Sequence, residues 1–311
     1  MYKVVFLAGP TASGKTEYAI KLAQDLNGEI VSADSMQLYK YMDIGSAKPS
    51  LAERAMVKHW LIDEIDPRNP FNVSEYKLLA EKYIEDIHSR GKLPIVCGGT
   101  GLYFNALLYD MDFSAPEGNN DYRESILKRF DNDPDKLHDH LESLDPEAAE
   151  SIHKNNVKRV VRYIERLENG EEHLAQFTDA NTPNPLFSAI FCGLRRDRDK
   201  LYQRIDKRVD ILMKNGLLDE VTMLMDKGFT ENDIAMKGIG YKELIQALKN
   251  GSAIKDAVDT IKLNTRHYAK RQIIWFRRYP DVYWLDLYED QFEPEQYAKL
   301  LRHICAEIES K

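Results

Sequence analysis

The sequence predicts an α/β fold, a parallel sheet flanked by helices and interrupted by a helical insertion subdomain. Three observations predict it. Short apolar runs at 3–8, 29–33 and 93–97 alternate with helical patterns at 18–27 and 73–90, the order that gives parallel strands with helices on both faces. The octapeptide Gly9-Pro10-Thr11-Ala12-Ser13-Gly14-Lys15-Thr16 stands between the first strand and the first helix. The stretch 112–184 breaks the alternation, with turn-rich borders around helix-like contents. The domain reading is therefore a core of 1–111 and 185–311 and an insertion of 112–184.

Along the chain, the first strand Val4-Val5-Phe6-Leu7-Ala8 leads into G-x-x-x-x-G-K-T, the spacing of a P-loop in its strand–loop–helix context, which makes the core P-loop NTPase-like. Glycines let successive N–H groups turn toward phosphate oxygens, the following helix contributes its positive end, Lys15 adds a charge, and the Thr16 hydroxyl suits Mg²⁺. The second strand ends at Asp34, at the carboxyl edge that the P-loop shares. Three roles are open to it: a general base, a carboxylate reaching Mg²⁺ through water, or the N-cap of a following helix. Trp60-Leu61-Ile62-Asp63-Glu64 has the outline of a Walker-B strand, with a surface strand end as its plainer reading. The next strand, Leu93-Pro94-Ile95-Val96-Cys97, ends in Gly98-Gly99-Thr100-Gly101, where closely spaced glycines permit near approach of backbone to a ligand and Thr100 offers a hydroxyl.

The insertion opens with Ser114-Ala115-Pro116-Glu117-Gly118-Asn119-Asn120 and closes with Asn181-Thr182-Pro183-Asn184-Pro185. Within it Lys158, Arg159, Arg162 and Arg166 fall on one side of a helix. His138 and His140 have no third ligand nearby and read as ordinary satisfied histidines. A strand at 188–194 follows, then mainly helix to a last strand at 281–285. Lys200, Arg204 and Arg208 recur every four residues, and Lys262, Arg266, Lys270, Arg271, Arg277 and Arg278 crowd a segment without acidic residues, interleaved with Tyr268, Trp275 and Phe276. Three basic stripes in one acidic chain point to a local polyanion site, an RNA backbone or a diphosphate cradle; each alone would be a solvated helix face.

Bulk properties narrow the classes. The chain has 311 residues, 43% apolar, with a formal charge of −8. That charge argues against wholesale nucleic-acid binding, although a ligand feels the local field rather than the total. No run approaches the ~18 apolar residues of a membrane span. The first strand begins at once, which leaves no room for a signal peptide. The 3 cysteines lack metal or redox spacing, so reduced thiols in a cytoplasmic protein are expected.

Five ordered segments, GPTASGKT, ADSMQLYKYMDIGSAKP (33–49), GGTGLYFNALL (98–108), KGIGYKEL (237–244) and KRQIIWFR (270–277), strongly resemble the bacterial tRNA dimethylallyltransferases. The likeness spans nearly the whole chain. It implies transfer of a dimethylallyl group from dimethylallyl diphosphate to N6 of the adenine immediately 3′ of the anticodon, in tRNAs that read U-initial codons. It further implies Mg²⁺ as cofactor, a tRNA anticodon stem-loop as partner, a monomer, and no membrane. By the same resemblance Asp34 is the base and Thr100 holds the adenine. Gly9 to Thr16 and Arg208 hold the diphosphate, with Thr16 on the metal. Contacts with tRNA are implied at Asp34, Ser35, Met36, Gln37, Thr100, Arg123, Lys158, Arg159, Val160, Val161 and Arg162. The chain departs from the family pattern at Lys58-His59-Trp60, at Ser46 for the usual Thr, and at Ile274 for the usual Thr. The alternatives are an adenylate isopentenyltransferase acting on free AMP, ADP or ATP, a P-loop kinase or ATPase, and a non-catalytic RNA-binding module.

Overall fold

The computed structural model describes residues 1–111, 120–170 and 182–310. It divides into two compact units, Met1–Leu108 with Asn184–Lys311, and Tyr109–Pro183. The first unit starts with β1 (Tyr2–Ala8), α1 (Lys15–Asp25), β2 (Gly28–Ala33), α2 (Leu51–Met56), β3 (His59–Trp60), α3 (Val73–Ser89), β4 (Leu93–Gly98) and α4 (Gly101–Leu108). The second unit holds α5 (Asn120–Arg129), α6 (Pro134–Leu144), α7 (Pro146–Ser151) and α8 (Val157–Glu168). The first then resumes with β5 (Phe187–Arg196), α9 (Arg198–Lys214), α10 (Leu217–Asp226), α11 (Tyr241–Asn250), α12 (Ile254–Phe276), β6 (Tyr283–Leu287) and α13 (Pro294–Glu309).

The sheet order is β3-β2-β4-β1-β5-β6, and every pairing is parallel. β1 lies in its middle, and Val4 to Ala8 are fully buried, the continuous apolar run expected of a strand covered on both faces. On one face Tyr18 and Leu22 of α1 meet Tyr297, Leu300 and Ile304 of α13 over β1, β5 and β6. On the other, Phe6 and Phe191 of the strands meet Phe104 of α4 and Phe276 of α12 in a ring cluster. Asn72 caps α3 by accepting from the Ser74 and Glu75 amides, while Glu75 accepts from the Asn72 amide, a capping box worth ~1 kcal/mol.

Two strand expectations shift. The last strand begins at Tyr283, not 281, because Pro280 has no amide proton and Tyr283 is the first residue to find a β5 partner, Cys192. The run at 60–64 contributes only the short β3, and its acidic pair is not a metal site: Lys48 and Arg54 pair with Asp63, and Glu64 accepts from the Leu61 amide and the Tyr83 hydroxyl. The Walker-B outline is thereby set aside.

In the smaller unit, Ile126, Leu137, Leu141, Ala148, Ile152, Val160, Val161 and Ile164 form a core of their own. Val160 and Val161, expected among tRNA contacts, turn inward at 0% and 3% exposure, which withdraws their side chains from any RNA surface. Lys158 and Arg162 lie on the outer face of the same helix, with Arg159 half-buried. His138 Nε2 donates to the Ala149 and Ile152 carbonyls and His140 pairs with Glu168, so each has a structural partner. The turn-rich opening of the insertion at 114–119 and Asn181 of its close lie outside the described residues. Among the described residues no helix is long and apolar enough to cross a membrane.

Candidate active site

Because all strands run the same way, the segments after β1, β2 and β4 leave from one edge of the sheet, and these are the P-loop, Asp34 and the Gly98–Thr100 turn. The P-loop curls through left-handed backbone at Ala12 (φ 62°) and Gly14 (φ 100°). At Gly14 that conformation opens α1 with its amides free, since no side chain caps this end. The loop is braced from behind: Arg196 Nε donates to the Ser13 carbonyl at 3.0 Å and Arg204 Nε to the Ala12 carbonyl at 2.9 Å.

Lys15 Nζ rests on the Pro10 carbonyl at 2.8 Å. Burial pulls its pKa from the ordinary 10.5 down to about 8, with the Arg208 charge adding to the pull and Cys97 and Asp34 opposing it. Burial also lowers Arg208, and the neighbouring Arg204 charge adds to that while Asp34 opposes it. These are half-buried cations short of anions, the electrostatic state that a diphosphate relieves. Ser13 Oγ is buried without a hydrogen-bond partner, an orphan within the loop that a phosphate oxygen would satisfy.

Asp34 Oδ1 accepts from the Met36 amide at 2.9 Å and, more weakly, the Gln37 amide at 3.4 Å. It therefore caps a turn rather than a helix; the next helix, α2, takes Ser50 as its cap. With Oδ1 so committed, the turn holds the carboxylate in place and leaves Oδ2 for chemistry. Thr100 is knitted to both neighbours of Asp34, its amide donating to the Ala33 carbonyl at 3.0 Å and its Oγ1 accepting from the Ser35 amide at 3.0 Å. Its hydroxyl also meets the Tyr268 hydroxyl. The Tyr268 hydroxyl lies beside Thr100 and Gln272, and burial, with the nearby Asp34 charge, raises its pKa to about 12.

The other expected contacts divide. Gln37 is turned into the protein, its amide donating to the Ser46 and Ala47 carbonyls and accepting from Ser32. Met36 packs under Gly238, where a Cβ would come within 2.4 Å of its methyl. Arg123, in the smaller unit, pairs with the buried Glu165 at 2.6 Å. The basic run at 262–278 is also split, since Lys262 pairs with Asp210 and Arg266 with Asp206 on α9. Ser46, standing for the family's usual Thr, keeps a donor role, its hydroxyl reaching the Met42 carbonyl.

Gln272 and Glu220 escaped the sequence reading, and Tyr268, noted there only among the aromatics of the basic segment, joins the site. Gln272 Oε1 accepts from the Thr11 amide at 2.8 Å and its Nε2 donates to the Gly99 carbonyl at 2.9 Å. Tyr268 precedes it by one helical turn, and that spacing was the available signal. The third is Glu220 of α10, whose buried carboxylate accepts from the amides of Asp43, Ile44 and Gly45 and from the Tyr241 hydroxyl, pinning the loop that follows Asp34.

Among the described residues no three His, Cys, Asp or Glu side chains are grouped to hold a metal. The donors present fit Mg²⁺ all the same, because that ion binds through few protein ligands and takes its other oxygens from phosphates and water.

Known proteins resemble this chain over most of its length. The family described as IPP transferase matches residues 37–279, and the family described as Isopentenyl transferase matches residues 2–69. A tRNA dimethylallyltransferase of Clostridioides difficile is 48% identical over 291 residues, 93% of each chain. The crystal structure of a full-length tRNA isopentenylpyrophosphate transferase from Bacillus halodurans superposes with a TM-score of 0.75 at 38% identity, covering 99% of this chain and 97% of that one. A eukaryotic dimethylallyltransferase acting on tRNA gives a TM-score of 0.78 at 31% identity, covering 92% of this chain and 74% of the other.

Proposed function

Starting from the fact that the chain belongs to the IPP transferase family of tRNA dimethylallyltransferases, we propose that its sheet edge transfers the dimethylallyl group of dimethylallyl diphosphate to N6 of the adenine immediately 3′ of the anticodon, releasing diphosphate. The observation that carries this reading is the juxtaposition of the anion-short cations Lys15 and Arg208 with Asp34, whose charge both of them feel. A diphosphate site alone would need no carboxylate, which repels its ligand. A carboxylate beside it serves a reaction in which a proton must leave as the diphosphate departs.

An adenine amine is a weak nucleophile because its lone pair is delocalised into the ring. As the N6–C1 bond forms and the C1–O bond to diphosphate breaks, Asp34 Oδ2 takes the N6 proton, a step typically worth 10²–10⁴-fold. Thr100 turns its hydroxyl from Tyr268 to the adenine to hold the base against Asp34. The amides at the start of α1, Lys15 and Arg208 meet the charge gathering on the leaving diphosphate. Thr16 would hold Mg²⁺, which when bound neutralises diphosphate charge. The adenine must leave its stack to reach this edge. Lys158, Arg159 and Arg162 supply a basic face for the RNA backbone on the smaller unit.

The test is a transfer assay with radiolabelled dimethylallyl diphosphate and Mg²⁺, offering either an unmodified anticodon stem-loop or AMP. Label in the RNA is expected. Prenylation of a free nucleotide is the second reading, favoured by the isopentenyl transferase match at 2–69; label in AMP alone would establish it and overturn the first.

A further inference from the structure

The diphosphate site and the base site sit on different strands, β1 on one side and β2 with β4 on the other, and displacement needs them held at one separation. Reacting atoms must approach to about 3–3.5 Å, and an error of 1 Å costs on the order of 10²-fold in rate. Backbone pairing of β1 with β4 ends at Ala8 and Gly98, before either loop begins. Beyond that point a single side chain on α12 spans the two loops. The Gln272 amide is bound at both ends, to Thr11 of the P-loop and to Gly99 next to Thr100, and it is 5% exposed. Gly99 has no room for a side chain because a Cβ there would lie 2.1 Å from Gln272 Nε2.

We infer that Gln272 is a positioning residue for the transfer, a strut that sets the distance between the diphosphate cradle and the Asp34–Thr100 pair while touching neither substrate. The inference rests on the transferase reading above. Three features support a strut over mere packing. Both hydrogen-bonding ends of the amide are used, and on opposite loops. Thr11 N–H, the first amide after Pro10, is committed to Gln272 rather than to a phosphate. The adjacent Tyr268 hydroxyl meets Thr100 and Gln272 together, so the one helix face gauges both sites.

Gln272→Met keeps the length and bulk of the side chain and removes both bonds. Gln272→Glu keeps an acceptor for Thr11 and loses the donor to Gly99. The measurement is the single-turnover rate of label transfer to the stem-loop at saturating substrates, set beside the separate affinities for dimethylallyl diphosphate and for the RNA. The expected result for each variant is a rate at saturation lowered about 10–100-fold, with RNA affinity changed less than about threefold; diphosphate affinity stays as close for Gln272→Met, while the charge of Gln272→Glu beside the P-loop weakens it further. Gly99→Ala, which displaces the amide, should reproduce that pattern. Rates at the wild-type level in a folded variant would overturn the strut. So would losses that appear only in affinity, because those belong to a residue that shapes one site alone. If Gln272→Met does not fold, Gln272→Glu carries the same two outcomes. Failure of the wild type itself to label RNA would instead count against the transferase reading.

Discussion

Replacing Lys15 by methionine should destroy turnover and at the same time stabilise the empty protein. The ammonium is held at a pKa of about 8 against an ordinary 10.5. At 1.36 kcal/mol per unit, keeping it charged in the fold costs about 3 kcal/mol. The unfolded chain binds this proton more tightly than the native one, so the cost is present in full below about pH 8 and fades as pH rises toward 10.5. Near pH 7 the variant should gain nearly the whole amount, less the loss of the bond to Pro10. Near pH 9.5 the native lysine is mostly neutral, and the gain should shrink by about 2 kcal/mol. Thermal melts of both proteins without ligand at the two pH values provide the assay. Titrating groups that do not feel the Lys15 charge cancel in the difference between the proteins. A variant that melts below wild type at pH 7, or a difference that does not narrow with pH, would refute the picture of Lys15 as a charge short of its anion.

Asp34→Asn keeps an oxygen for the Met36 amide, so the turn should persist while transfer falls about 10²–10⁴-fold and stem-loop affinity stays within a few-fold; both are read by the labelling assay and by filter binding. Alanine at Lys158, Arg159 and Arg162 together should weaken stem-loop binding and flatten its salt dependence by about 0.7 for each phosphate no longer neutralised, with dimethylallyl diphosphate affinity unchanged in a titration. Glu220→Ala strands three loop amides and the Tyr241 hydroxyl, so it should cost about 3 kcal/mol in denaturant unfolding and open the 42–47 loop to protease. Chelation of divalent ions should stop label transfer, and Mg²⁺ should restore it.

The sheet and the two ends of the site were legible because their signals are local. G-x-x-x-x-G-K-T declares itself within eight residues, and Asp34 and Thr100 each follow an apolar strand directly. What joins them was not legible. Gln272 reaches Thr11 and Gly99 across 261 and 173 residues, and nothing in the neighbouring sequence states where α12 crosses the sheet edge. Glu220 belongs to the same class, a helix carboxylate whose partners are amides about 175 residues earlier. Val160 and Val161 depart from expectation for a different reason. A motif taken as a continuous string ignores that successive helix residues point about 100° apart, so the string mixes outer Lys158 and Arg162 with inner valines. The basic segment at 262–278 similarly looks uniform until α9 supplies Asp206 and Asp210 to two of its charges.

The placement of β1 governs when the protein can become active during its synthesis. The P-loop is made first, yet β1 pairs with β4 on one side and with β5 on the other, in a register that joins Tyr2 to Phe187. The P-loop's brace comes from Arg196 at the end of β5 and from Arg204 after it, and those two arginines are themselves held by the carbonyls of Glu289 and Asp290 in the connection before α13. At about 5–20 residues per second, the first eight residues wait on the order of ten to forty seconds for β5 to be made. A nascent chain that already carries the whole phosphate motif therefore has no framework to hold it. A fragment ending before β6 would keep the motif and its bracing arginines but lose the carbonyls that hold those arginines, which ties a firm cradle to completion of the chain.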